Sequence, residues 1–427
     1  MKTNHLITGA VTAIALSMAG YHLYVVFFGV PSVLFFRGTH LLFSLILIFL
    51  IHPFRKSQSN TLSGRALDAI FVLCSITCLA HIFINHDYIL NRFAYVDDLS
   101  ALDLTLGTGL ILLTLEATRR VIGLALPLTA TIFVAYALII DQIGFGQLID
   151  QMYLTTEGIF GIPLNVSATY MVLFILFGAL VERSGTGKLF RDFSLALAGS
   201  SAGGPAKVAC VTSAMFGTVS GSSTANVMTT GTFTIPLMKK IGYRPAFSGA
   251  VEAVASTGGQ ILPPIMGAAA FVMAEMMAVS YMTVISMAIV PALLYFVAVF
   301  LAVHFEAKRT GLRGLPKPDL PRLGKVLKTR GHQFIPLLII IGVLVAGFSP
   351  PYAALCGLLS VIPVALLGKT TRQEISWKTF TDAMVIGIRN TLIVSSACAS
   401  AGIVIGVISQ TGIGIEFTQL VASGFTE

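Results

Sequence analysis

The sequence predicts an all-α integral membrane protein, and three observations predict it. Of 427 residues, 55% are hydrophobic and only 11% charged, with a mean hydropathy of +0.87; soluble domains carry about 25% charged residues. Many apolar runs reach or approach the ~18–20 residues that a helix needs to cross a bilayer. These runs are unbroken, whereas a transmembrane barrel reads as alternating segments of ~10 residues.

Taken in order, the apolar runs are 7–28, 37–53, 64–85, 99–117, 121–140, 163–182, 284–304, 334–348 and 352–368. A further helix runs from Thr381 to Ser409, entered through an amphipathic 373–380. This predicts about ten to eleven transmembrane helices. Lys2 and the apolar stretch ending in SMAG resemble a secretory leader. The run continues through Tyr24 to Phe28, longer than a typical cleaved core, so it is read as the first helix. The five cysteines, Cys74, Cys78, Cys210, Cys356 and Cys398, all lie inside apolar segments and read as small buried hydrophobes. Cys74 and Cys78 share a helix face without the His or acidic neighbour that would complete a metal site.

Charge sets the topology. Turn 54–65 carries Arg55, Lys56 and Arg65, whereas 86–103 carries Asp87, Asp97, Asp98 and Asp103 against Arg92. Arg119 and Arg120 come next, followed by Asp141, Asp150 and Glu157. Region 306–330 holds Lys308, Arg309, Arg313, Lys317, Arg322, Lys325, Lys328 and Arg330 against Glu306 and Asp319. Basic turns face the cytoplasm, so the N-terminus is expected inside. The net charge of +8 is mostly these loops and speaks for topology, not for nucleic-acid binding.

Two segments break the pattern. Arg183, Lys188 and Arg191 precede the polar stretch FGTVSGSSTANVMTTGTFTIP (216–236), and Lys239, Lys240 and Arg244 follow it. Both flanks read as cytoplasmic, and the apolar halves 207–219 and 227–238 are too short to span. Residues 205–238 are therefore expected to form a re-entrant hairpin with its tip at Ser220, Gly221, Ser222 and Ser223. Opened backbone at that depth must be buried in protein or line a watery cavity. Binding at the tip, with Asn226, is weighed against simple Ser/Thr packing between helices, the preferred reading for Thr229, Thr230 and Thr232. In 245–279, Ser256, Thr257, Gly258, Gly259 and Gln260, then Pro263 and Pro264, should unwind a helix. Broken helices with half-helices mark the ion and solute sites of secondary transporters. Glu252 and Glu275 are ionisable within this span. Glu252 is the stronger candidate against the alternative of a paired structural carboxylate, and Glu275 can lie near the outer surface.

These residues carry a resemblance. VTSAMFGTVSGSSTANVMTTGTFTIPLMKKIGYRP (211–245) and SGAVEAVASTGGQILPP (248–264) closely resemble the fused permeases of TRAP transporters of the TAXI-associated type. TRRVIGLALPLTATIFVAYAL (118–138) and YLTTEGIFGIPLNVSATYMVLFILFGALVERSG (153–185) fit the same family. The resemblance implies an elevator-type, Na⁺-coupled symporter of the bacterial inner membrane, not an enzyme. It would take a small organic acid from a periplasmic TAXI-type solute-binding protein, with Na⁺ as coupling ion and no other cofactor. Na⁺ and substrate would be held by Ser220, Gly221, Ser222, Ser223, Asn226, Glu252, Ser256, Thr257, Gly258, Gly259, Pro263 and Pro264.

The implied organisation is a small-subunit-like four-helix domain (1–118) and a first repeat (119–305) with hairpin 205–238 and broken helix 245–279. A basic cytoplasmic loop (306–332) and a partial second repeat (333–427) complete it. No second SGSS-like or GG…PP element follows, so a truncated permease with an incomplete inverted repeat is expected, one that inserts but does not transport. A channel or a binding-protein-independent transporter is the alternative. SGTGK at 184–188 lacks the first glycine of a P-loop, and the serine cluster contains no G-x-S-x-G elbow. Arg389, beside Asn390, is the basic residue placed in an apolar run, either in a site or near a cytoplasmic helix end.

Overall fold

The computed structural model describes residues 2–54 and 62–424. Helix dominates throughout, and no strand occurs among the described residues. Among the described residues, nine stretches are long and apolar enough to cross a membrane by length and composition. The basic-turn residues Arg55 and Lys56 lie outside the described residues. The chain divides into two compact units, residues 1–171 with 388–427, and residues 172–387.

The first unit contains α1 (Lys2–Phe28), α2 (Val33–Ile51), α3 (Leu62–Ile84), α4 (His86–Asn91), α5 (Ala101–Val121) and α6 (Ala125–Ile139). Two short helices, α7 (Phe145–Ile149) and α8 (Ile162–Val166), precede π-helical turns at Asp150–Leu154 and Ser167–Met171. Helix α5 starts at a reciprocal cap: Asp103 N donates to Ser100 Oγ (3.1 Å), and Ser100 N donates to Asp103 Oδ2 (3.0 Å), satisfying two otherwise orphaned donors. Among apolar neighbours these helices are pinned by buried polar contacts. His22 Nε2 meets His40 Nδ1 (2.8 Å), and His40 Nε2 meets Ser167 Oγ (3.0 Å). Tyr153 donates to the Cys78 carbonyl (2.6 Å).

The second unit contains α9 (Val172–Val181), α10 (Gly187–Ala198), α11 (Gly204–Ser220), α12 (Ser223–Lys240), α13 (Pro245–Gly258) and α14 (Ala268–Met276). It continues with α15 (Tyr281–Arg309), α16 (Leu323–Arg330), α17 (Ile335–Val345) and α18 (Pro350–Leu367). Helix α19 (Trp377–Thr411) begins in this unit and ends in the first, where α20 (Ile413–Gly424) follows. On α15, Met287, Val290, Leu294 and Leu301 are exposed, the apolar surface expected of a lipid-facing helix.

Helices α11 and α12 form the hairpin, and α13 and α14 the broken helix. The hairpin arms are 17 and 18 residues, longer than the halves read from apolarity. Shortness alone therefore does not argue for re-entrance. Ser, Thr and Asn extend each helix past its apolar part because they tolerate helical backbone wherever a neighbour or the preceding turn accepts their hydroxyls. Neither arm is among the nine stretches apolar enough to span.

Candidate functional site

The hairpin turn is built by two residues. Gly221 adopts φ +59°, a left-handed conformation that glycine adopts without penalty, and it ends α11. Ser222 then caps α12, its Oγ accepting from Ala225 N (3.3 Å), as serine does at helix starts. The base of the hairpin is closed by small and apolar residues: Ala206, Ala209, Cys210, Met238, Val251 and Ala255 pack together with Val303 and Ala307 of α15.

Within this unit the hairpin and the break in the next helix meet. A Cβ on Gly217 would lie 2.3 Å from Cα of Gly259, and one on Gly221 would lie 2.0 Å from the Met266 carbonyl oxygen. Backbone thus contacts backbone where both segments leave regular helix. The break itself runs from Gly259 to Gly267. Its turns are closed by Gly259 N to Ser256 O (3.2 Å), Gln260 N to Thr257 O (3.1 Å) and Gly267 N to Gln260 O (2.7 Å). Tyr281 of α15 donates to the Pro264 carbonyl (3.0 Å) and also reaches the Ile265 carbonyl, anchoring the far side of the break.

Beneath the contact lies Glu252, fully buried. Its Oε1 is approached by the hydroxyls of Ser213 (3.3 Å), Ser256 (3.3 Å) and Thr230, and its Oε2 by Thr234 (2.5 Å). Asn226 sits directly above, its amide donating to Ser213 O (2.8 Å), and Thr230 lies 3.4 Å from Asn226 Oδ1. A buried carboxylate must be paired or fully hydrogen-bonded. Here hydroxyls from α11, α12 and α13 do this, and no ion pair to Glu252 occurs among the described residues. For the alternative of a paired structural carboxylate, the partners are thus hydroxyls and not a basic residue among those described.

Other expected residues are placed differently. Thr257 is exposed, with its hydroxyl turned back to Ala253 O (2.8 Å), away from the Glu252 cluster. Ser223 Oγ accepts from Gln260 Nε2 (3.2 Å), a second link between hairpin and break. Ser220 Oγ is buried without a hydrogen-bond partner. Gly258 faces the Tyr295 ring. Pro263 is half-buried and Pro264 buried. Glu275 is half-buried on α14, and Arg389 and Asn390 are exposed on α19.

Sequence reasoning missed Ser213, Thr230 and Thr234. The sequence reading takes Thr230 as packing and does not single out Ser213 or Thr234. A signal was present: Asn226, Thr230 and Thr234 recur every fourth residue, as do Glu252 and Ser256, so each set lines one helix face.

With this geometry in view, comparison with known proteins decides the family. The family model for the tripartite ATP-independent periplasmic transporter, DctM component, matches residues 110–425. The chain belongs to that family. It is 28% identical over 182 residues to the C4-dicarboxylate TRAP transporter large permease protein DctM of Pseudomonas aeruginosa, covering 42% of each chain. It is similar to the sialic acid TRAP transporter large permease protein SiaM of Vibrio cholerae, at 25% identity over 232 residues, 54% of this chain and 53% of the relative. The isethionate TRAP transporter permease protein DctMQ of Oleidesulfovibrio alaskensis is 27% identical over 270 residues, 62% of this chain and 39% of the relative. The matches thus span about half or less of the length of these relatives. In this TRAP-family chain, the hairpin, the break and the Glu252 cluster all fall within the matched region.

Proposed function

We propose that this chain is the permease of a Na⁺-coupled secondary transporter in the bacterial inner membrane. It would take up a small organic anion handed over by a periplasmic TAXI-type solute-binding protein. One observation carries the reading: the hairpin tip and the helix break touch backbone to backbone, above a buried carboxyl group that four hydroxyls surround. Opened helices of this kind supply free carbonyls for Na⁺ and helix N-termini for anionic groups. Asn226, Glu252, Ser256 and the Gly217–Gly259 backbone are oxygen-rich, as a hard cation requires.

Na⁺ is here a transported ion, and membership in the family supports the reading. The relatives' names point to C4-dicarboxylates, sialic acid and isethionate, all small organic anions. We extend that class, and no single substrate, to this chain. The fusion of a small-subunit-like 1–118 to the transport part, an N-terminus inside and a re-entrant hairpin belong to the same proposal.

The test is uptake of labelled small carboxylates and sulfonates by cells expressing the complete permease gene with its receptor. The expected result is uptake that requires both receptor and a Na⁺ gradient. Uptake that persists when Na⁺ is replaced by K⁺, or without receptor, refutes the coupling or the partner respectively. On the purified chain, Na⁺ should raise the melting temperature above that in equimolar K⁺, and Asn226→Ala should remove the difference.

A further inference from the structure

Beside the hairpin, a cavity of about 520 Å³ opens on the surface of the second unit. Arg183, Lys188 and Arg191 line it against Glu182 and Glu374. Lys188 bonds Glu374 (2.8 Å), Arg191 bonds Asp192 (3.0 Å), and the exposed Arg183 has no carboxylate partner among the described residues. Gly185 turns the backbone here at φ +87°, a conformation glycine adopts without penalty, and the Glu374 carboxylate lies against it.

The inner wall of this cavity is shared with a second, enclosed pocket. Glu182, Phe216 and Thr229 line both, and the far wall of the second is formed by Ser220 and Asn226 of the hairpin tip. That pocket has a volume of about 10 Å³, room for roughly one water. The partnerless Ser220 hydroxyl lines it. Where the two spaces share this wall, the Thr229 hydroxyl, which also lies 2.9 Å from Ala225 O, reaches Oε1 of the exposed Glu182 (2.8 Å).

We propose that this funnel is an anion-binding vestibule through which a small organic anion leaves the hairpin tip on the basic side of the membrane, with Glu182 and Thr229 as its latch. The inference rests on the transporter reading above and adds the route, the residues and the ligand charge. Three cations against two carboxylates give this open cavity a net positive lining, which raises local anion concentration, and among the described residues Arg183 is the lining cation without a carboxylate partner. The tip pocket is too small for an organic anion while the latch is closed. Glu182 also sets a carboxylate in the path, so passage requires the Thr229 bond to break and that charge to move aside.

The test needs no transport, so its outcome is separable from that of the uptake experiment. In a background with the five native cysteines replaced, Phe233→Cys reports on the vestibule and Ala225→Cys on the tip pocket. Inside-out vesicles of neutral lipid are treated with thiosulfonate reagents bearing a sulfonate or a trimethylammonium group. Phe233→Cys should react about tenfold faster with the anionic reagent, the low end of electrostatic rate enhancement, and Arg183→Gln should reduce that preference. Ala225→Cys should react slowly until Thr229→Val or Glu182→Gln is added, and then several-fold faster. Thr229→Val removes the latch bond, while Glu182→Gln removes the charge with little change in shape, so one serves if the other misfolds. Equal rates for the two reagents at Phe233→Cys, or no acceleration at Ala225→Cys in either well-folded variant, overturn the proposal. A preference that disappears when anionic lipid is added places a headgroup in the vestibule and overturns the assignment to a soluble anion.

Discussion

Gly217 and Gly259 touch backbone to backbone, a Cβ on either falling 2.3–2.6 Å from the other's Cα. This contact holds the hairpin against the opened helix and leaves no room for a side chain on either glycine.

Gly217→Ala and Gly259→Ala should each be destabilising, since the overlap is with backbone and cannot be relieved by a rotamer change. A loss of about 1–3 kcal/mol is expected from overpacking. Gly249→Ala on α13, where nothing lies within 4 Å, should be neutral or stabilising by up to about 1 kcal/mol. Melting curves in detergent compare the three, and equal behaviour would contradict the close approach.

Thr234→Val removes the hydroxyl on Glu252 Oε2 while keeping the side chain's shape. Leaving a buried acceptor short of a donor costs about 1–3 kcal/mol. Thr232→Val, at an exposed site whose hydroxyl bonds back to Thr229 O, should change stability by less than about 0.5 kcal/mol. If both variants melt together, the hydroxyl set around Glu252 contributes nothing to the fold.

In the first unit Arg92 and Asp150 form a buried ion pair, with Tyr95 N adding a bond to Asp150 Oδ2 (2.8 Å). Arg92→Ala leaves Asp150 buried without its cation, at a cost of about 3–5 kcal/mol. Low yield or a sharply lowered melting temperature is the expected readout. Arg191→Ala, whose partner Asp192 is a surface neighbour, should cost no more than about 1 kcal/mol.

Topology can be read from the two ends of the hairpin. Tyr243 looks convenient by position, but it is buried, stacked on Phe247 with ring centroids 5.4 Å apart. Burial pushes its phenol up to about 12. Exposed Ser200 and Lys240 are the better sites. Cysteines there should both react with an impermeant reagent from the cytoplasmic face. Reaction from opposite faces would make α11–α12 an odd number of crossings and end the re-entrant reading.

The sequence by itself determined the class, the order of the helices and the two places where helix fails. Apolar length and charge are local properties, and a Gly-Ser turn at 221–222 or a Gly-Gly and Pro-Pro break after 258 acts on its own backbone. It also named Glu252 and Asn226, because a polar group in an apolar run has to be explained wherever it occurs. Only the tertiary structure decided what surrounds them. Ser213 lies 39 residues from Glu252 in the chain and Thr230 22; the fourth-residue spacing puts Thr230 on one face with Asn226 and Thr234, but does not say what that face meets. A hydroxyl next to a carbonyl of the preceding turn is satisfied in any helix. Whether it also reaches a carboxylate, as Thr230 and Thr234 do while keeping those carbonyls in range, depends on how α11, α12 and α13 cross, where Gly217 packs on Gly259.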